Sequence, residues 1–194
     1  MRMRLKGAIF DMDGTVFDVP YNWKKIKDEL KTEGKPILVH IQGLSEPERS
    51  AKWKILERYE KEATQKAVLK DGMKEFLIYL QEQGLKTALV TNNSRNNVDF
   101  LLNKFALNFD FVLSRERGLW KPSGAPFFAV LAKLNLEKDE CCVIGDTHFD
   151  IEAAREVKIN KIYILNEDKE KFAANDVKVF STVQELRKQI EPLL

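Results

Sequence analysis

Asp11-Met12-Asp13-Gly14-Thr15 sets two carboxylates two residues apart at the end of a short apolar run, Gly7-Ala8-Ile9-Phe10. On extended backbone, side chains at i and i+2 point to the same side. The pair therefore predicts two like charges at the tip of a strand. Such charges are costly to bury unless a cation or an anionic ligand organises them. Gly14 lets the chain turn sharply and lets a ligand approach the backbone. The pattern reads as a candidate metal and phosphate centre. The plainer alternative is a solvated turn or a helix cap, where Asp is common.

Three further polar clusters also follow apolar runs or precede helices: Thr91-Asn92-Asn93-Ser94, Lys121-Pro122-Ser123, and Gly145-Asp146-Thr147-His148-Phe149-Asp150. Carboxylates suit Mg²⁺, a hard cation that prefers oxygen ligands and keeps several waters. A threonine hydroxyl and a lysine ammonium suit a phosphoryl group, as hydrogen-bond donor and point charge. Gly145 gives Asp146 room for a close approach. Asp150 has a plainer use as an electrostatic helix cap. His148 is read as an exposed loop residue. His40 is read as structural or solvent-facing. Trp23 and Trp53 fall on helical stripes and are expected to pack, whereas Trp120, next to Lys121, is the better candidate for touching a ligand.

The elements that must position these residues follow from apolar periodicity. Strands are expected at Lys6–Phe10, Lys86–Val90, Phe109–Leu113, Cys141–Ile144 and Lys161–Leu165, with an edge strand at Val177–Phe180. Met73, Phe76, Leu77 and Leu80 form one helical stripe, Val98, Leu101, Leu102 and Phe105 a second, and Phe127, Val130, Leu131 and Leu134 a third. Further helices are expected at Asp150–Val157 and Val183–Ile190. Continuous apolar strands alternating with amphipathic helices predict an α/β fold, a doubly wound parallel sheet covered on both faces. In such sheets ligands bind outside the carboxyl ends of the strands, where all four polar clusters would meet.

Residues 17–70 read differently. They are rich in Lys and Glu and predict two helices, one carrying Trp23, Ile26 and Leu30, the other Leu56, Tyr59, Ala63 and Ala67. Gly34, Pro36, Gly43 and Pro47 break them apart, and Ser45 with Glu48 is a capping-box signal for the second. The expected organisation is a core of residues 1–16 and 71–194 with a small helical cap, 17–70, inserted after strand one.

Composition narrows the classes. The chain has 194 residues, 44% of them hydrophobic, and a net charge of +2. That is enough for one core, and the near-neutral balance gives no case for nucleic-acid binding. Cys141 and Cys142 are neighbours on a strand and face opposite sides, so a disulfide between them is not expected; they read as small buried hydrophobes. No segment is long enough to span a bilayer, and the apolar run after the basic start, Met1 to Lys6, is too short for a signal peptide. The expectation is a cytoplasmic monomer or homodimer without nucleic-acid or membrane partners.

Taken together, Asp11-Met12-Asp13-Gly14-Thr15, Thr91-Asn92, Lys121-Pro122 and Gly145-Asp146-Thr147-His148-Phe149-Asp150 resemble the four motifs of the haloacid-dehalogenase (HAD) superfamily, in order and spacing, over about Lys6 to Leu165. The likeness is closer to its phosphoglycolate-phosphatase-like phosphatases, which insert a helical cap where residues 17–70 lie. The resemblance implies a Rossmann-like core and a Mg²⁺-dependent phosphatase acting on a small phosphorylated metabolite. It implies Asp11 as nucleophile forming an aspartyl-phosphate and Asp13 as acid and then base. Mg²⁺ would be held by the Asp11 side chain, the Asp13 backbone carbonyl and Asp146, with Asp150 beside it through water or hydrogen bonds. Thr91 and the Asn92 backbone amide would bind phosphoryl oxygens, and Lys121 would offset negative charge. The cap would close over substrate and exclude bulk water. Two features depart from the pattern: Trp120 stands where a small residue is common, and Ala153–Lys158 lacks a glycine often found there. Three other readings stay open: a sugar-phosphate phosphomutase, a 2-haloacid dehalogenase, and a non-enzymatic phosphoacceptor signalling domain.

Overall fold

Every residue of Gly7–Phe10 is apolar or glycine, as a strand covered on both faces requires, and this segment is β1, buried throughout. The computed structural model describes residues 4–194. After β1 come β2 (Phe17–Asp18), α1 (Trp23–Leu30), α2 (Ile37–Gln42), α3 (Glu48–Gln65), β3 (Val68–Leu69) and α4 (Met73–Glu82). The chain continues through β4 (Lys86–Val90), α5 (Arg95–Phe105), β5 (Phe111–Leu113), α6 (Ala125–Leu134), β6 (Cys141–Gly145), α7 (His148–Glu156), β7 (Lys161–Leu165), β8 (Lys178–Phe180) and α8 (Val183–Ile190).

Among the described residues six strands form one sheet in the order β5-β4-β1-β6-β7-β8. Every pairing in it is parallel, with Ile9 opposite both Ala88 and Val143. The first strand is thus central, and the order reverses on either side of it. That reversal opens a crevice at the carboxyl ends of β1, β4 and β6. Helices flank the sheet. On one face Ile9, Val90 and Val143 pack with Phe127 and Val130 of α6 and with Ile151 and Ala154 of α7. Toward the other face Phe10 meets Phe76 of α4 edge-on, with ring centroids 6.2 Å apart. Burial of such side chains stabilises the sheet by about 1.5–3 kcal/mol each.

The strand expected from Phe109 starts two residues later, at Phe111; Phe109 instead packs its ring against Phe10 at 5.9 Å. Cys141 and Cys142 are both buried free thiols. Among the described residues no helix is long and apolar enough to cross a membrane.

The chain divides into two compact units, one running up to Asp18 and from Val68 to Leu194, the other Val19–Ala67. At the junction, within the first unit, β2 and β3 form a two-residue antiparallel ribbon, Phe17 opposite Leu69, and Lys70 pairs with Asp18 at 2.6 Å. The second unit has three helices rather than the two expected. The additional one is α2, formed inside the Gly/Pro break and burying Leu38 and Ile41. Glu29 of α1 links to Arg58 and Tyr59 of α3 at 2.7 and 2.5 Å. The Ser45–Glu48 capping box does not form: α3 begins at Glu48 itself, and the Glu46 carboxylate accepts from the Ser50 backbone N–H at 3.2 Å instead. Trp23 is 47% exposed and stacks on Tyr21 at 4.3 Å, against the expectation that it packs inward.

Candidate active site

The strand β1 stops at Phe10, and the two carboxylates that follow it diverge in their partners. Asp11 still continues the ladder, its backbone N–H donating to the Ile144 carbonyl at 2.9 Å. The chain then curls: the N–H groups of Val16 and Phe17 both donate to the Met12 carbonyl, at 2.9 and 3.0 Å. The simple two-residue alternation therefore ends before Asp13. Asp11 points its carboxylate at the Lys121 ammonium, Nζ to Oδ1 2.5 Å, while Asp13 Oδ2 accepts from the Asn93 side-chain amide at 3.0 Å.

Lys121 is 4% exposed and also reaches Asp150 Oδ1 at 2.6 Å. Its backbone is clamped by a reciprocal pair of bonds. The Lys121 N–H donates to Asn92 Oδ1 and Asn92 Nδ2 donates to the Lys121 carbonyl, both at 2.8 Å. The side chain of Asn92 is thus a tie between the turn after β4 and the segment before α6.

Asp150 is fully buried, and both of its carboxylate oxygens have donors. Its Oδ2 accepts from the backbone N–H of Asp146 (3.2 Å), the backbone N–H of Thr147 (3.1 Å) and the Thr147 hydroxyl (2.9 Å). Asp150 thus caps the start of α7 and also lies against Lys121 and the other carboxylates. Gly145 makes room for it: a Cβ there would lie 2.3 Å from the Asp150 Cγ. Gly14 does the same for Asp146. Its φ is +89° and a Cβ would lie 2.1 Å from Asp146 Oδ2. Each glycine thus leaves space that a neighbouring carboxylate occupies.

Asp146 is the carboxylate whose bonding is incomplete. Its Oδ1 is buried without a hydrogen-bond partner among the described residues. Oxygen atoms of Asp11, Asp146 and Asp150 all lie within 4.8 Å of one another. Burial first, then the charges of Asp11 and Asp150, push the Asp146 carboxyl up to about 9. Burial also raises Asp11, against the pull of Lys121. On Lys121 burial opposes the charge, but Asp11 and Asp150 outweigh it and hold the ammonium above its usual range. With all three carboxylates ionised, this one ammonium would leave two negative charges uncompensated, and the raised Asp146 carboxyl relieves part of that excess by keeping its proton. An orphaned carboxylate oxygen, a surplus of carboxylates over ammonium and an all-oxygen donor set fit a hard divalent cation.

Thr91 is buried, and its hydroxyl accepts from the Asn93 N–H at 3.0 Å. It opens the same turn that holds Asn92 and Asn93. The cluster thus contains Asp11, Lys121, Asp146 and Asp150, with Asp13, Thr91 and Asn92 in the loops joined to it. His148 is the first residue of α7 and lays its ring on Phe172 at 4.9 Å, a packing role rather than an exposed one. Trp120 and Trp53 are half-buried. Sequence reasoning missed Asn93, Thr147 and the side-chain role of Asn92. The signal was present as consecutive Asn residues before a Ser N-cap, since Asn side chains readily bond nearby backbone.

A crevice at the reversal of a parallel sheet, with an acidic cluster on two strand tips and a lysine between them, defines a class. The chain belongs to the haloacid dehalogenase-like hydrolase family, whose pattern matches residues 8–164. It is 28% identical over 159 residues to a haloacid dehalogenase-like hydrolase domain-containing protein of Arabidopsis thaliana, covering 75% of this chain and 64% of that protein. The match thus spans slightly less than two thirds of the Arabidopsis protein. It is 26% identical over 162 residues to the phosphoglycolate phosphatase of Colwellia psychrerythraea, covering 81% of this chain and 70% of that one. In fold it is similar to a hydrolase from Pseudomonas syringae, with a TM-score of 0.81 at 20% identity over 97% of this chain and 99% of that one.

Proposed function

We propose that the protein is a Mg²⁺-dependent phosphatase that hydrolyses a small phosphomonoester metabolite through an aspartyl-phosphate on Asp11. The observation that carries the reading is Asp11 itself: a buried carboxylate at a strand tip, bonded to Lys121 and facing an acidic cluster with an unpartnered oxygen. The Colwellia relative, named a phosphoglycolate phosphatase, supports the same class.

In the first step an Asp11 carboxylate oxygen bonds to phosphorus as the bond from phosphorus to the ester oxygen breaks. Asp13 gives its proton to that oxygen, so the product leaves as an alcohol. In the second step water bonds to phosphorus, its proton passes to Asp13, and the Asp11–phosphorus bond breaks, releasing inorganic phosphate. Thr91 and the Asn92 backbone amide would hold phosphoryl oxygens. Lys121 stands against the charge that builds between nucleophile and phosphoryl group, the electrostatic contribution that dominates such transfers. Asp11, Asp146 and the Asp13 carbonyl would hold Mg²⁺, which supplies fixed positive charge at the phosphoryl oxygens. Asp150, its oxygens engaged by four donors, would act through the bonds it makes to Lys121 and to the Asp146 loop.

The test is turnover of para-nitrophenyl phosphate and a panel of phosphorylated metabolites with and without Mg²⁺. Phosphate release that stops on chelation is expected. No release from any phosphoester would overturn the reading, and transfer of the phosphoryl group to a sugar phosphate would make it a mutase. Asp11→Asn removes the nucleophile without changing its size. It should cut turnover by more than about 1,000-fold and leave the far-ultraviolet circular dichroism unchanged.

A further inference from the structure

Asn93 has a partner on each end of its amide. Its Oδ1 accepts from the backbone N–H of Ser94 at 2.7 Å and from Asn97 Nδ2 at 2.9 Å. A backbone N–H can only donate, so the oxygen end of the Asn93 amide is fixed there. The other end must then present N–H, and it presents it to Asp13 Oδ2 at 3.0 Å. Asn93 is 3% exposed and Asn97 is 8% exposed. They belong to the turn after β4 and the first turn of α5, which the Ser94 side chain caps by accepting from the Asn97 N–H at 3.4 Å. The rigid start of a helix is therefore coupled through two amides to a carboxylate eighty positions earlier in the chain.

We infer that Asn93, locked in one orientation by Asn97 and the Ser94 N–H, is a positioning residue that sets the torsion of the Asp13 carboxyl and hence its aim at the leaving-group oxygen. The inference rests on the phosphatase reading, since it gives Asn93 a role only if Asp13 moves a proton. A carboxyl on a curled loop rotates about two torsions; a partly buried bond to one oxygen restrains both, so the other oxygen keeps a fixed direction. Misaiming a proton donor by an ångström costs orders of magnitude, but the cost falls on leaving groups that need the proton. A nitrophenolate departs as an anion; an alkoxide does not.

The experiment is a leaving-group series on the full-length protein with saturating Mg²⁺: 2,4-dinitrophenyl, para-nitrophenyl and phenyl phosphate and glycerol 2-phosphate. It measures single-turnover release of the alcohol or phenol, so that only transfer to Asp11 is observed. In Asn93→Leu the rate with glycerol 2-phosphate should fall roughly 10–100-fold while that with the dinitrophenyl ester falls less than about threefold. The plot of log rate against leaving-group acidity should steepen, with KM within about threefold of wild type for every ester. Asn97→Asp keeps the shape of residue 97 and suits the first turn of a helix, so it keeps the test open if Asn93→Leu does not fold. Its carboxylate repels the Asn93 oxygen that the Ser94 N–H holds, so the amide loses its single fixed orientation toward Asp13. It should give the same steepened plot, whereas Asn97→Ala, which leaves the Ser94 bond, should steepen it less. Equal losses with all four esters, or an unchanged slope in both Asn93→Leu and Asn97→Asp, would overturn the inference while leaving the phosphatase reading intact. A wild-type protein that forms no phosphoenzyme with any ester would overturn both.

Discussion

Lys121 links two carboxylates that burial alone would leave without a counter-charge. Removing one partner of a buried ion pair costs about 3–5 kcal/mol, because the other charge is stranded. Lys121→Met should therefore lower stability by about that much in urea unfolding and abolish turnover. Adding Asp11→Asn to it removes one of the stranded charges, so the double variant should be more stable than Lys121→Met alone and equally inactive. A strictly additive double variant would mean that the two side chains are not coupled. At this scale the sequence was readable where chemistry dictates residue type. Asp11 and Asp146 sit just past strands, Asp150 at a helix start and Lys121 in the segment before α6, and the four converge. What could not be read was the direction of each side chain. Asp13 and Asn93 meet only because the loop after Phe10 curls, and no periodicity encodes that curl.

The elements themselves were legible wherever apolar periodicity was strong. Residues 86–90, 161–165 and 183–190 form the expected strands and helix at the expected limits. Two of the misreadings lie where Gly and Pro interrupt the pattern. A break rich in both conceals the six-residue α2, too short for periodicity to reveal, and the Ser45–Glu48 signal lost to a nearby carboxylate at Glu46. The start of α7 combines stability and placement in one residue. Thr147 donates its hydroxyl to Asp150 Oδ2 at 2.9 Å, but two backbone N–H groups hold the same oxygen. Thr147→Val should therefore cost about 1 kcal/mol, a fall in melting temperature of about 2–4 °C for a protein of this size. Turnover should fall less than about tenfold, because Asp150 keeps its bond to Lys121. A loss of activity as deep as that of Asp11→Asn would show that the Thr147 hydroxyl serves the chemistry itself.

The whole molecule carries the electrostatic cost of its site, and that cost has a sign. The Asp146 carboxyl is pushed up to about 9 from an ordinary 3.8, so the folded chain binds this proton more tightly than the unfolded chain. Between those two values the folded state holds the extra proton, and stability falls as pH rises through the window. The raised Asp11 carboxyl acts in the same direction. The carboxylates held below their ordinary values, Glu29, Glu46, Asp110, Glu116 and Glu140, act with the opposite sign, and only in more acidic solution, below about 4.5. A divalent cation replaces the proton, so its binding should release protons and tighten with rising pH. In chelator the melting temperature should drop steadily from about pH 5 to about pH 9. Excess Mg²⁺ should flatten that drop, so that its stabilising effect is small in acid and largest near pH 9. Asp146→Asn should flatten the chelator curve on its own and remove most of the response to Mg²⁺. Calorimetry across this range reads all three curves without any substrate. A melting temperature that is level from pH 5 to pH 9 and indifferent to Mg²⁺ would mean that the acidic cluster neither stores this strain nor relieves it by taking up a metal.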